Sequence, residues 1–212
     1  MPTDKTDDSS DSVFGTAISV ELGLGVIAIG LGWLTGVDVR QWIPQFELSR
    51  SADIFAGLAM GVAAAIPMLI AIELLERIDW EPIRKLKTLD ELPVVSALLA
   101  LNAGELVAIS VAAGVGEELL VRGWLMGWIC GPLNSATPIA IGLALLASSV
   151  AFGLMHPITK TYAVLTSIIG LYLGGLVLWS GNLLVPIAAH TVYDAVHMLL
   201  AKRQRQIELR KP

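Results

Sequence analysis

Charge is what this sequence has least of. Only 16% of its 212 residues are Asp, Glu, Lys or Arg, against 55% hydrophobic residues, and the mean hydropathy is +0.71. That excess, arranged in long runs, excludes an ordinary water-soluble domain and places the chain among multispan α-helical membrane proteins. Cysteine is nearly absent: Cys130 stands alone, which rules out an intrachain disulfide and a thiolate metal cluster. Basic residues are outnumbered by acids, with a net charge of -5, so nothing points to a nucleic-acid partner. The sequence also lacks an internal repeat, a low-complexity segment and a phosphate-binding glycine loop. A signal peptide would need a basic n-region and a short apolar stretch. Here residues 1–12 are acidic, and the apolar run from Val13 to about Gly36 is long enough to be a retained first helix.

Apolar runs mark candidate spans near 13–35, 54–75, 103–130, 138–156, 161–180 and 183–201, each close to the ~20 residues that cross a bilayer core. The expected fold is therefore all-α, a polytopic transmembrane bundle of about six spans. An acidic disordered tail (1–12) precedes a membrane domain (13–201), and a basic tail (202–212) follows it. A charged linker runs from Glu76 to Leu92, and the short apolar stretch Pro93–Leu101 suits the membrane interface. Placing the linker, the Lys160 loop and the basic tail on one side leaves only Arg40 and Arg50 on the other. The positive-inside rule then predicts two cytoplasmic termini. Trp33, Trp42, Trp80, Trp128 and Trp179 fall near span ends, as an aromatic belt requires. The pairs Gly57/Gly61, Gly123/Gly127, Gly127/Gly131 and Gly170/Gly174 read as close helix packing in lipid.

Against this apolar background, three polar constellations stand out. In Gly114-Val115-Gly116-Glu117-Glu118-Leu119-Leu120-Val121-Arg122-Gly123-Trp124, two acids and a base interrupt a membrane-spanning run. Ionisable groups at that depth are costly and usually functional. On a helix Glu118 and Arg122 share a face, acid N-terminal to base, the better orientation for an ion pair. Glu117 points about 140° away from Arg122 and is left without a local partner. The second constellation is Phe152-Gly153-Leu154-Met155-His156, closing the fourth span. The third is His190-Thr191-Val192-Tyr193-Asp194, which sets His190 and Asp194 one turn apart, so that the carboxylate can orient the imidazole. His197 lies on a similar face near the helix end and reads as interfacial. Glu21, Glu73, Glu76 and Glu105 read as packing or snorkelling residues.

Polar groups in lipid must find partners, and the simplest arrangement gathers these three helices around one site. A carboxylate beside imidazoles in a low-dielectric cavity suits the activation of water. Glu117, His156, His190 and Asp194 equally offer ligands to a divalent metal such as zinc, with a position left for water. Both arrangements point to hydrolysis.

At these residues the chain resembles the CPBP intramembrane protease family, also called the CAAX protease and bacteriocin-processing (Abi) family. The family pattern is EExxxR, FxxxH and HxxxN or HxxxD on successive helices; here it stands as Glu117-Glu118…Arg122, Phe152…His156 and His190…Asp194. The likeness covers roughly 104–200. It implies an intramembrane endopeptidase in which Glu117 and His156 activate the attacking water. His190 and Asp194 stabilise the oxyanion, and Glu118 with Arg122 holds the site in shape. Family members are described both as metalloproteases and as metal-independent glutamate enzymes. Asp194 stands where Asn is the commoner choice; an ionised Asp cannot donate to an oxyanion, so it must be protonated, orient His190 or bind a metal. The implied partners are the lipid bilayer and a membrane-associated peptide or protein substrate, in a bacterial cell membrane. The competing readings are a non-catalytic scaffold or immunity-type protein that keeps the polar site as helix glue, and a proton-coupled carrier.

Overall fold

The computed structural model of the protein describes residues 5–45, 47 and 50–210, and it is helical almost throughout. Helix α1 spans Lys5–Thr35 and α2 spans Ser51–Glu76. The short helices α3 (Glu81–Leu86) and α4 (Pro93–Ala100) occupy the linker region. Helix α5 (Ala103–Glu118) continues through a π-helical stretch, Leu119–Met126, into α6 (Gly127–Cys130). Helices α7 (Pro138–Leu154), α8 (Lys160–Ser180) and α9 (Leu184–Glu208) complete the bundle. Among the described residues, α2, α8, α9 and the Asp11–Thr35 part of α1 are each long and apolar enough to cross a membrane. Helix α4 together with 103–130 passes the same test but is bent by 118°. Helix α7, with 17 residues, is shorter. The polytopic all-α bundle expected from the sequence is thus the observed fold.

The helix ends follow from local chemistry. Asn102 caps α5 reciprocally: its side chain accepts from the Glu105 amide at 3.0 Å, while its own amide donates to Glu105 Oε2 at 2.7 Å. Glu105, read as a packing or snorkelling residue, is instead half of this capping box. Thr137 and Thr159 accept from the third residue of α7 and α8. Helix α8 stops at Gly181, whose φ of +62° is the left-handed conformation that glycine adopts without a Cβ penalty.

Both tails are helical over most of their described residues. The acidic stretch is helical from Lys5 onwards rather than disordered, because extending a formed helix adds a hydrogen bond per residue without a new nucleation cost; residues 1–4 lie outside the described residues. The basic stretch from Lys202 continues α9 as far as Glu208, and Lys211 lies outside the described residues. Lys202 Nζ donates to Leu99 O at 3.0 Å and Leu101 O at 2.7 Å. Arg205 reaches Ser96 O at 2.6 Å. Lys202 thus satisfies carbonyls at the end of α4 that have no intrahelical donor, and with Arg205 it ties α9 to the bent α4–α5 junction. Trp42 is also corrected: it is 8% exposed and packs with Met126, Val177 and Leu183. Trp33, Trp80, Trp128 and Trp179 are exposed.

The helices pair as α2 with α9, α7 with α8, and α5 with both α1 and α9. Glycines make the approach close. A Cβ on Gly61 would strike Val185 O and Ala188, one on Gly114 would strike Thr191, and one on Gly123 would strike Val39 O. Of the small-residue pairs, Gly61, Gly123 and Gly170 meet a neighbouring backbone and Gly57, Gly127 and Gly174 a side chain, whereas Gly131 has nothing within 4 Å. Gly61→Ala is predicted to destabilise the bundle by about 1–3 kcal/mol through overpacking. Gly175→Ala, with open space around the new methyl, should be neutral or slightly stabilising; thermal unfolding in detergent compares the two.

Candidate active site

The three polar constellations meet where α5, α7 and α9 face one another. Glu118 and Arg122 are both fully buried and pair at 2.7 Å. Arg122 Nη2 donates to Gly170 O at 2.9 Å on α8, and its guanidinium stacks 4.5 Å above the Phe152 ring. Gly170 is needed here, since a Cβ would lie 3.0 Å from Ser149 Cα and 3.3 Å from Arg122 Nη2. The oxygen of Glu118 that binds Arg122 also faces His190 Nδ1, at 3.1 Å. One buried carboxylate thus ties α5 to α9, and its arginine ties α5 to α7 and α8.

His190 is held on both sides, with Nε2 3.3 Å from Asp194 Oδ2. Phe152 meets the His190 ring edge-on at 5.6 Å and lies 5.0 Å from His156. Phe152 O accepts from His156 Nδ1 at 2.8 Å. A carbonyl only accepts, so this bond fixes the proton on Nδ1 and turns Nε2 inward. Nε2 then faces Glu117 Oε2 at 3.8 Å, too far for a direct hydrogen bond. Glu117 has 7% of its side chain exposed, against 24% for His156 and 29% for Asp194. The site is closed behind Glu117 and open beside His156 and Asp194.

Not every candidate is at the site. His197 stacks on Tyr193 at 5.8 Å instead, and Glu73 pairs with Arg77 at 2.9 Å on the surface. Two residues were missed. Tyr162 sets its ring 6.1 Å from that of His156. Glu21 of α1, read as a packing or snorkelling residue, lies within hydrogen-bonding reach of Glu117. Its signal was the one that singled out Glu117: an acid without a partner inside an apolar run.

A scan against family models matches residues 99–196 to the family described as "Rce1-like: Type II CAAX prenyl endopeptidase Rce1-like". This part of the chain is similar to the CAAX protease family. The matched segment is just under half of the chain, runs from the end of α4 into α9, and contains all three motifs. The curated proteins and the solved structures gave no match. The apolar helices, with this likeness to a membrane-embedded protease family, support an integral membrane protein.

The proposed metal set fits the CAAX-protease segment poorly. Among the described residues no three His, Cys, Asp or Glu side chains converge as metal ligands. Both ring nitrogens of His190 already face carboxylate oxygens, at 3.1 and 3.3 Å. Glu117, His156, His190 and Asp194 are gathered, with His190 3.3 Å from Asp194 and His156 3.8 Å from Glu117.

The buried pair gives a sharp expectation. Arg122→Met should destabilise the protein by about 3–5 kcal/mol, because it strands the Glu118 carboxylate in an apolar interior. Arg122→Lys, which loses the fork that spans Glu118 and Gly170, should fall in between; thermal unfolding of the purified variants checks the order.

Proposed function

We propose that the protein is a metal-independent, glutamate-type intramembrane endopeptidase that hydrolyses a peptide bond in a membrane-associated peptide or protein. The observation that carries this reading is the Glu117–His156 pair: two inward-facing acceptors 3.8 Å apart, beside the open edge of the site. A water at that edge donates one hydrogen to Glu117 Oε2 and the other to His156 Nε2, which aims its oxygen lone pair at an incoming carbonyl carbon. As the C–O bond forms, Glu117 takes the water's proton and the substrate carbonyl becomes a tetrahedral oxyanion. The proton shared between His190 Nε2 and Asp194 Oδ2 is the donor for that oxyanion. This answers the departure from Asn, since either member of the His190–Asp194 pair can donate it. Collapse breaks the C–N bond and Glu117 returns its proton to the leaving amine; the new carboxylic acid passes its remaining proton to His156 Nε2 and leaves as a carboxylate.

Glu118 and Arg122 take no part in bond making; they fix His190 and Phe152, and through Phe152 the His156 tautomer. An apolar groove of about 380 Å³ between α2 and α8, reaching Tyr193 of α9 next to Asp194, supports a substrate that arrives from the lipid side. The basic residues of the 76–92 linker, Lys160 and the stretch from Lys202 onwards, against Arg40 and Arg50 alone, support two cytoplasmic termini.

Glu117→Gln should lower cleavage of a membrane-anchored reporter peptide by about 10²-fold or more while the protein stays folded, because an amide keeps the shape but cannot accept the proton. A chelator should leave the wild-type rate unchanged. Chelator-sensitive cleavage, restored by added zinc, would sink the metal-independent mechanism. A wild type that cleaves nothing, with a cellular role that survives Glu117→Gln, would favour the scaffold reading.

A further inference from the structure

Glu21 is the buried acid that this mechanism leaves unused. It sits on α1, outside the family-matched segment, and it reaches the site because two glycines let α1 and α5 touch backbone to backbone. A Cβ on Gly116 would strike Glu21 O, and one on Gly25 would lie 3.6 Å from Gly116 Cα. This contact, one residue before Glu117, brings the two carboxyl groups within hydrogen-bonding reach. The Oε2 atoms of Glu21 and Glu117 are both buried and have no hydrogen-bond donor among the described residues.

A buried carboxylate oxygen without a donor is costly, and two side by side repel as well. One proton between them removes both penalties, since a protonated carboxyl donates and an ionised one accepts. We propose that Glu21 is a positioning residue for Glu117: its carboxyl, carried on α1, hydrogen-bonds the Glu117 carboxyl and holds it facing His156. Without it the Glu117 carboxylate has no donor to fix its rotamer, and a general base that is misplaced by an ångström loses much of its effect. Helix α1 thereby becomes part of the catalytic apparatus rather than a membrane anchor. The assignment rests on the protease reading for its kinetic consequence, but the carboxyl pair itself does not.

Two readouts separate these. Infrared spectra of purified protein in detergent at neutral pH should show a protonated-carboxyl C=O stretch that shifts or vanishes in Glu21→Gln and also in Glu117→Gln. Glu105→Gln, whose side chain caps α5, should leave it alone. A band unmoved by either substitution overturns the pair. For cleavage, Glu21→Leu should lower kcat about tenfold or more with KM within about twofold, and Glu21→Gln, whose amide still donates, should restore most of kcat. An unchanged kcat in Glu21→Leu, or no rescue by Gln, overturns the positioning role. A wild type that cleaves nothing counts against the protease reading alone, and the infrared bands then decide the pair.

Discussion

The structure depends on the buried ion pair between Glu118 and Arg122. Taking two charges out of water costs several kcal/mol each, and only close geometry with further hydrogen bonds recovers that cost. Here the recovery is distributed. The Glu118 oxygen that binds Arg122 also binds His190, and Arg122 donates to Gly170 O and stacks on Phe152. Four helices are thereby indexed to one carboxylate. A bundle in lipid gains little from hydrophobic burial between helices, so a directional anchor of this kind sets rotation and depth where apolar packing alone would not.

From that anchor the site divides into a held half and a free half. His190 is clamped at both nitrogens, whereas Glu117 and His156 face each other without a direct bond. The adjacency of two glutamates on one helix is what creates the division. About 100° of helical rotation sends one carboxylate to Arg122 and the other to the opening. The π-helical stretch begins immediately after Glu118. Such widened turns are frequent at functional sites, and this one carries Arg122 into contact with α7 and α8.

What could be read from the sequence was what depends on local periodicity. The Glu118–Arg122 and His190–Asp194 pairs are each four residues apart on a helix and needed no tertiary information. The apolar runs likewise gave the helices, and most of the small-residue pairs gave close contacts. What could not be read was non-local. Glu21 meets Glu117 only because Gly25 and Gly116 bring two distant backbones together. The extension of α9 past Lys202 rewards carbonyls of α4 about a hundred residues earlier. Trp42, placed at a span end, is instead drawn into the core by its loop, where its carbonyl accepts from Leu183 N at 2.8 Å.

The central claim is that Glu118 and Arg122 act as a unit that fixes the site. The most direct measurement is a double-mutant cycle, with Glu118→Gln, Arg122→Met and the combined variant compared by thermal unfolding in detergent. The account predicts strong non-additivity: the double variant should be more stable than the sum of the single losses predicts, by about 2 kcal/mol or more, because it no longer strands a buried charge. Additive losses would show that the two side chains act independently, and the anchor described here would not exist.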